Sequence, residues 1–349
     1  MRRSPRLLPA ALVALVALAA CSSSANGNGP DLTTAPSTTV SAADVAAQPS
    51  SGCQAKVKIL PGEIKVNTTS NGAPRWYWRH IPPSYTGLKP MPLVIDLHGY
   101  SEGATIHTKM SMLGPFGDTH GFVTLTPEGS GTAVPLWNTD LKSDDVKFIG
   151  NLLDEAERTL CVDQRRIFVA GLSNGAFMTS AVACAYSTRV AAVAPVAGIR
   201  DISGCKFARP VPVMTFHGTT DPFVAYGGGL GPKALALPSP DGKGTLGGSG
   251  AATNQTKGPS IPQITADWAK RNGCGTTPKA TKLTSDVTTI TFPCPAGDDV
   301  VLQRITGGGH AWPGSAFSQA IAGTVGKTTM TISANQLMWT FFEAHPLRG

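Results

Sequence analysis

An apolar run at residues 166–170 meets Gly171-Leu172-Ser173-Asn174-Gly175, and small, helix-compatible residues follow to about Tyr186. A β-prone run, a Gly-x-Ser-x-Gly turn and a helix in that order constrain the fold strongly. They describe a sharp strand-to-helix turn that lifts one side chain at the end of a sheet. Glycine suits positions 171 and 175 because a side chain at either would crowd the strand against the helix. Ser173 is the candidate nucleophile.

The rest of the chain supplies a sheet for that turn. Residues 92–97, Pro-Leu-Val-Ile-Asp-Leu, are apolar but for Asp96, as in a strand covered on both faces, and His98-Gly99-Tyr100 follows. Residues 122–126, 190–196, 211–216 and 300–305 read as further strands. Residues 57–67 and 75–81 pair through Asn71-Gly72, and 281–292 alternates as a hairpin. Ser143-Asp144-Asp145 caps a helix running to about Leu160, and helices are expected over 264–271 and 333–344. Strands alternating with helices predict an α/β fold: a mostly parallel central sheet, helices on both faces, one domain. Ligands on such sheets lie beyond the carboxyl ends of the strands. His98-Gly99, Ser173, Asp221 and His310 each come just after a strand.

A serine hydroxyl is a weak nucleophile until a base takes its proton and an anion orients that base. Ser173, Asp221 and His310 follow the chain order nucleophile, acid, base. Asp201, after the preceding strand, competes with Asp221, and the tight Gly-Thr-Thr-Asp-Pro turn favours Asp221. Among the other histidines, His98 and His217 are expected to shape loops. His107 and His120 lack a post-strand setting, and His80 and His345 are expected at the surface. Backbone N–H groups of Asn174 and Tyr100 are the expected oxyanion donors. Trp137 and Trp312 are the expected cleft walls.

Residues 1–21 read as an export signal, with Arg2, Arg3 and Arg6 before a fourteen-residue apolar run ending Leu18-Ala19-Ala20-Cys21. That run is short for a membrane span of about 20 residues. Its end has the form of a lipobox, in which Cys21 is acylated and anchors the chain at a membrane surface. Residues 22–52, rich in Ser, Thr, Ala and Pro, are expected to be a flexible tether, and residues 53–349 the catalytic domain. The formal net charge of +7 falls to +4 without the signal, and the remaining basic residues are scattered, which argues against nucleic-acid binding. No Cys-x-x-Cys or His-Glu-x-x-His spacing points to a metal. Six cysteines besides Cys21 imply three disulfides. A helix leaving the turn carries Cys184 to the far end of the sheet, where Cys205 returns. Cys274 and Cys294 flank the hairpin, which leaves Cys53 with Cys161. Residues 226–262, dominated by Gly, Ser, Pro, Ala and Thr, form an insertion beside Asp221 that either borders the cleft or is a loose excursion.

Taken together, Leu97-His98-Gly99, Gly171-Leu172-Ser173-Asn174-Gly175-Ala176, His217-Gly218-Thr219-Thr220-Asp221 and Gly308-Gly309-His310-Ala311-Trp312-Pro313-Gly314 resemble the secreted polyhydroxybutyrate depolymerase-like esterases. That group includes feruloyl and acetyl-xylan esterases, and Asn272-Gly273-Cys274 is similar too. The resemblance implies an α/β-hydrolase fold, no cofactor, and Ser173, Asp221 and His310 as the triad. The expected function is that of a lipid-anchored serine esterase, acting as a monomer on a small or polymeric ester through an acyl-enzyme. An envelope acyltransferase and a non-catalytic surface binding protein are the alternatives. Tyr100, where relatives often carry a small residue or Cys, and the 226–262 insertion depart from the pattern, and both bear on the substrate.

Overall fold

The computed structural model describes residues 45–55, 58–201, 204–248 and 257–348. The expected signal, Cys21 and residues 22–44 lie outside them. Among the described residues, ten strands form one sheet: β1 (Gly62–Ser70), β2 (Ala73–Ile81), β3 (Met91–Leu97), β4 (Val123–Pro127), β5 (Val162–Leu172), β6 (Ala192–Val196), β7 (Val213–Gly218), β8 (Lys279–Lys282), β9 (Val287–Thr291) and β10 (Val300–Ile305). Their order is β1-β2-β4-β3-β5-β6-β7-β10-β9-β8. The run from β4 to β10 is parallel, and antiparallel pairs flank it on both sides.

Helices α1 (Ala104–Ser111), α2 (Leu113–His120), α3 (Asp144–Thr159), α4 (Asn174–Ala185), α5 (Pro232–Leu235), α6 (Ile261–Arg271), α7 (Ala316–Ala320), α8 (Ala322–Val325) and α9 (Ala334–Glu343) connect the strands. Side chains alternate across each strand, so each face builds its own core. Leu93, Ile95, Ile167, Val169 and Val213 pack with α3, α4 and α6. Val94, Phe168, Ala170 and Met214 pack with α1, α2 and α9 on the other face. There the Phe168 and Phe342 rings stack at 4.5 Å. This strand order with helices on both faces is the α/β-hydrolase fold. Serine hydroxyls cap α3, α6 and α9, with Ser143, Ser260 and Ser333 accepting from Val146, Gln263 and Gln336 N–H. The register sets Leu97 against Gly171, Leu172 against Val196, Val196 against Phe216, and Ile305 against Gly218. The loops that follow these strands therefore leave the sheet side by side.

Three expectations change. Helices α1 and α2 occupy 104–120, where composition alone showed no helix. The ordered domain begins before residue 53: Val45 and Ser50 are buried, Pro49 bridges Asp163, and Ser50 N–H donates to Val162 O at 3.0 Å. These backbone bonds fix residues 45–52 on the start of β5 in place of a tether. The described parts of the 226–262 stretch, 226–248 and 257–262, carry structure: Val224 bridges Leu230, Pro238 bridges Thr245, α5 lies within it, and α6 starts at Ile261.

Disulfides join Cys53 to Cys161, Cys184 to Cys205 and Cys274 to Cys294. The first closes a sequence separation of 108 residues at the sheet end remote from Ser173. Closing a loop of about 100 residues stabilises by roughly 4–5 kcal/mol in the chain-entropy model. Replacing Cys53 and Cys161 by Ala is expected to lower the thermal midpoint by about 10 °C. Ester turnover at 25 °C is expected to stay unchanged, as calorimetry and a rate assay on the same variant will show.

Candidate active site

Strand β5 ends at Leu172 and α4 begins at Asn174, so the chain reverses within Ser173. Its φ of 57° and ψ of −116° lie where side chains are rarely found. Such strain costs about 1–3 kcal/mol and persists only where packing enforces it. The glycines provide that packing. A methyl group on Gly175 would lie 2.1 Å from Leu97 O, and one on Gly171 would lie 2.6 Å from Gly175 O. Helix α4 therefore sits directly on the end of β3. Ser173 N–H is held by Val196 O at 2.9 Å. Its side chain opens into a cavity of about 610 Å3, and its hydroxyl is hydrogen-bonded to no described residue.

Asp221 and His310 approach from the loops after β7 and β10. Asp221 is buried, and its Oδ1 accepts Phe223 N–H at 2.8 Å and Val224 N–H at 2.9 Å. Its Oδ2 lies 2.8 Å from His310 Nδ1. Burial alone would raise this carboxyl, but the neighbouring His310 and the N–H donors outweigh it and hold it below the usual carboxylate range. The two loops meet backbone to backbone. Thr220 N–H donates to Gly308 O, and a methyl on Gly218 would stand 2.2 Å from that oxygen. Phe223 packs on the His310 ring with centroids 4.9 Å apart and also lines the cavity that receives Ser173. His217 Nε2 donates to Val224 O at 2.9 Å, so this ring shapes the loop carrying Asp221. Asp201, the competing acid, pairs with Arg271 instead.

The loop after β3 completes the rim. His98 Nε2 accepts Gly129 N–H at 2.9 Å, which fixes the tautomer in which Nδ1–H donates to Gly99 O at 2.7 Å. Burial lowers the pKa of this ring, in keeping with its neutral form. Trp137 binds the Asn174 amide twice, through its N–H at 2.7 Å and its C=O at 3.1 Å, while its indole N–H donates to His98 O at 3.0 Å. It thus lines the cavity and ties the 98–100 loop to the nucleophile turn. Neither Tyr100 N–H nor Asn174 N–H donates to a described residue. Tyr100 OH donates to Pro238 O at 2.8 Å, fastening the insertion over the cavity.

Two sequence expectations are corrected here. Trp312 is 1% exposed and lies under the His310 loop, its indole N–H on Asn335 Oδ1 and its ring against His107. It roots that loop and does not wall the cleft, because the chain turns inward after His310. His345 is buried, with Nδ1 donating to Phe341 O and Nε2 facing Asp299, and His80 faces Asp118 at 2.9 Å, so neither is a free surface residue. The sequence leaves the Asn174 side chain unassigned and gives His98 its loop-shaping role without the Gly129 partner. Their position next to the turn and after β3 was the available signal, but their partners lie 31 to 37 residues away.

The cavity wall combines Trp137, Phe177, Ile199 and Phe223 with Leu230, Leu237 and Leu246 from the insertion. Among proteins of known function, the chain is 32% identical over 240 residues to feruloyl esterase B of Piromyces equi, an alignment covering 66% of this chain and 41% of that protein. It is 30% identical over 188 residues to feruloyl esterase D of Neurospora crassa, covering 50% of this chain and 63% of that one. The chain is similar in sequence to feruloyl esterases, and its sheet and helices have the α/β-hydrolase fold. It spans less than two thirds of the length of these relatives. No protein-family model matches it. Among solved structures, the acetyl xylan esterase from Aspergillus awamori aligns with a TM-score of 0.49 at 15% identity, covering 71% of this chain and 94% of that one.

Proposed function

We propose that this feruloyl-esterase-like chain is an exported serine esterase that hydrolyses carboxylic esters with bulky, largely apolar acyl groups through an acyl-enzyme. One observation carries the reading. Ser173, forced into a strained turn, opens into the same cavity whose wall residue Phe223 covers His310, and His310 is oriented by Asp221.

In this reading Ser173 Oγ attacks the ester carbonyl carbon. His310 Nε2 takes the hydroxyl proton and passes it to the departing alcohol oxygen. Water, deprotonated by the same nitrogen, then attacks the acyl carbon, and the proton returns to Ser173 as the acid leaves. The unpartnered Tyr100 and Asn174 N–H groups stabilise the negative oxygen of each tetrahedral intermediate. The aromatic and aliphatic wall favours a hydroxycinnamoyl-sized acyl group over acetyl, and the relatives named for feruloyl esters support that class. The three disulfides fit an oxidising compartment outside the cytoplasm. Acylation of Cys21 would hold the enzyme on a membrane surface as a monomer.

A panel of p-nitrophenyl and methyl esters, graded from acetyl to feruloyl, tests the proposal. The expected result is faster turnover of the larger acyl groups. A fluorophosphonate probe is expected to label the wild type at Ser173 and to leave Ser173→Ala unlabelled. Equal labelling of both proteins overturns the assignment of the nucleophile. Adding an alcohol acceptor to the same assay separates hydrolysis from acyl transfer.

A further inference from the structure

A cluster of charge lies buried behind the 98–102 loop, outside the cavity. His107, on α1, is fully enclosed, and both ring nitrogens meet carboxylates. Nε2 is 2.8 Å from Asp96 Oδ1, and Nδ1 is 3.0 Å from Glu102 Oε1. A ring that donates from both nitrogens is an imidazolium. Burial opposes that charge, but Asp96 and Glu102 outweigh it and raise the pKa to about 10.

The cluster continues in two directions. Toward the nucleophile, Glu102 Oε2 accepts Gly99 N–H at 2.6 Å, and Glu102 N–H donates back to Gly99 O at 3.3 Å. Gly99 adjoins Ser173, since a methyl group on it would lie 3.6 Å from Ser173 Cβ. Gly99 O also accepts His98 Nδ1–H at 2.7 Å, and because a peptide is planar and trans, this anchored C=O fixes the opposite direction of Tyr100 N–H, while the Glu102 carboxylate holds the preceding peptide through Gly99 N–H. Away from the nucleophile, Asp96 Oδ2 accepts the Ser111 hydroxyl at 2.6 Å. Ser111 O accepts Asn335 Nδ2–H at 2.8 Å, and Asn335 Oδ1 accepts the Trp312 indole N–H at 2.8 Å. Trp312 is two residues beyond His310. A single buried run therefore joins the loop of the proposed oxyanion donor to the loop of the proposed base.

We propose that Glu102, His107, Asp96 and Asn335 are positioning residues, forming a buried run that holds the Tyr100 N–H at a fixed spacing from the His310 loop. The inference rests on the esterase reading of the site. Glu102 and Asn335 hold backbone directly, His107 and Asp96 link them through side chains, and none touches the substrate. Burying an ion pair and a further carboxylate contributes little net stability against an apolar core, whereas a misplaced oxyanion donor costs rate directly.

The test compares Glu102→Ala, Glu102→Gln and Trp312→Phe, with kcat, KM and affinity for an arylboronic acid measured on each. The boronic acid forms a tetrahedral adduct on Ser173 with an oxygen at the oxyanion position. Glu102→Ala is expected to lower kcat about 100-fold with KM within about twofold, and to weaken boronate binding by a similar factor. Glu102→Gln keeps an acceptor for Gly99 N–H and is expected to recover most of that loss. Trp312→Phe removes one N–H from the far end of the run and is expected to lower kcat about threefold at unchanged KM. The loss in the Glu102→Ala, Trp312→Phe double variant is expected to fall short of the product of the single losses. A folded Glu102→Ala or Trp312→Phe with wild-type kcat and boronate affinity, a loss confined to KM, or single losses that multiply independently would overturn the proposal. If Glu102→Ala does not fold, Trp312→Phe decides: a loss of about threefold in kcat at unchanged KM with weaker boronate binding supports the proposal, and wild-type values overturn it. A wild type that neither turns over esters nor binds boronate overturns the esterase reading itself, a result distinct from all of these.

Discussion

Asp221→Asn is expected to lower kcat on an ester substrate by about 10⁴-fold while leaving the protein folded. The hydrogen bonds around Asp221 dictate how an amide would sit there. Oδ1 accepts two backbone donors, Phe223 N–H and Val224 N–H, and an NH2 group cannot replace it without facing both. The amide oxygen is thus pinned at the Oδ1 position, and the NH2 takes the place of Oδ2, 2.8 Å from His310 Nδ1. A donor there obliges His310 to accept at Nδ1 and carry its proton on Nε2. That is the tautomer unable to receive a proton from Ser173. The backbone bonds survive, so the thermal midpoint is expected to move by only a few degrees. A crystal structure of the variant showing an unchanged His310 ring, together with kcat within tenfold of wild type, would remove Asp221 from the proposed machinery. Burial raises and His310 lowers the Asp221 carboxyl, with the lowering dominant. The stabilisation it contributes is present above the unfolded carboxylate value and is lost only as pH falls through the lower folded value.

What could be read from the chain and what could not divide along physical lines. The turn at Ser173 was legible because all of it is local: an apolar run, two glycines and small residues within one short segment. The clusters after strands were legible because a parallel sheet sends every such loop to one edge, wherever the strands rank in the order. The crossing of β3 and β4 in that order carries no local signal. Helix α1 was missed because its buried face presents His107 and Ser111, whose polarity imitates a loop; their partners come from β3 and the 98–102 loop. Trp312 was assigned to the cleft from its neighbour His310, but a residue two positions along an irregular loop owes nothing to its neighbour's direction. The insertion at 226–262 read as uniform from its composition. Its cavity-facing Leu230, Leu237 and Leu246 are spaced too irregularly to show a period, and they acquire a face only once Tyr100 fastens Pro238.

The nucleophile turn itself makes the second large prediction, because its geometry depends on an absent atom. A methyl group at Gly175 would stand 2.1 Å from Leu97 O and 2.5 Å from His98 O. Neither neighbour can rotate away, since both are backbone: Leu97 is the last residue of β3, paired with Gly171, and His98 O also carries the Trp137 indole N–H. Relief requires α4 to move off the sheet by an ångström or more. Ser173 and the Asn174 N–H lead that helix and must move with it, while Asp221 and His310, held by β7 and β10, remain in place. Gly175→Ala is therefore expected to cost about 3 kcal/mol of stability, at the upper end for overpacking. A displacement of about 1 Å between reacting groups costs on the order of 100-fold in rate, so the surviving folded protein is expected to lose kcat by at least that factor. Denaturant unfolding and single-turnover kinetics on the same preparation separate the two effects, because the rate loss persists at low temperature where the variant is fully folded. A variant that is destabilised yet reacts with a fluorophosphonate at the wild-type rate would mean that the turn tolerates the shift, and that the close seat of α4 on β3 serves stability alone.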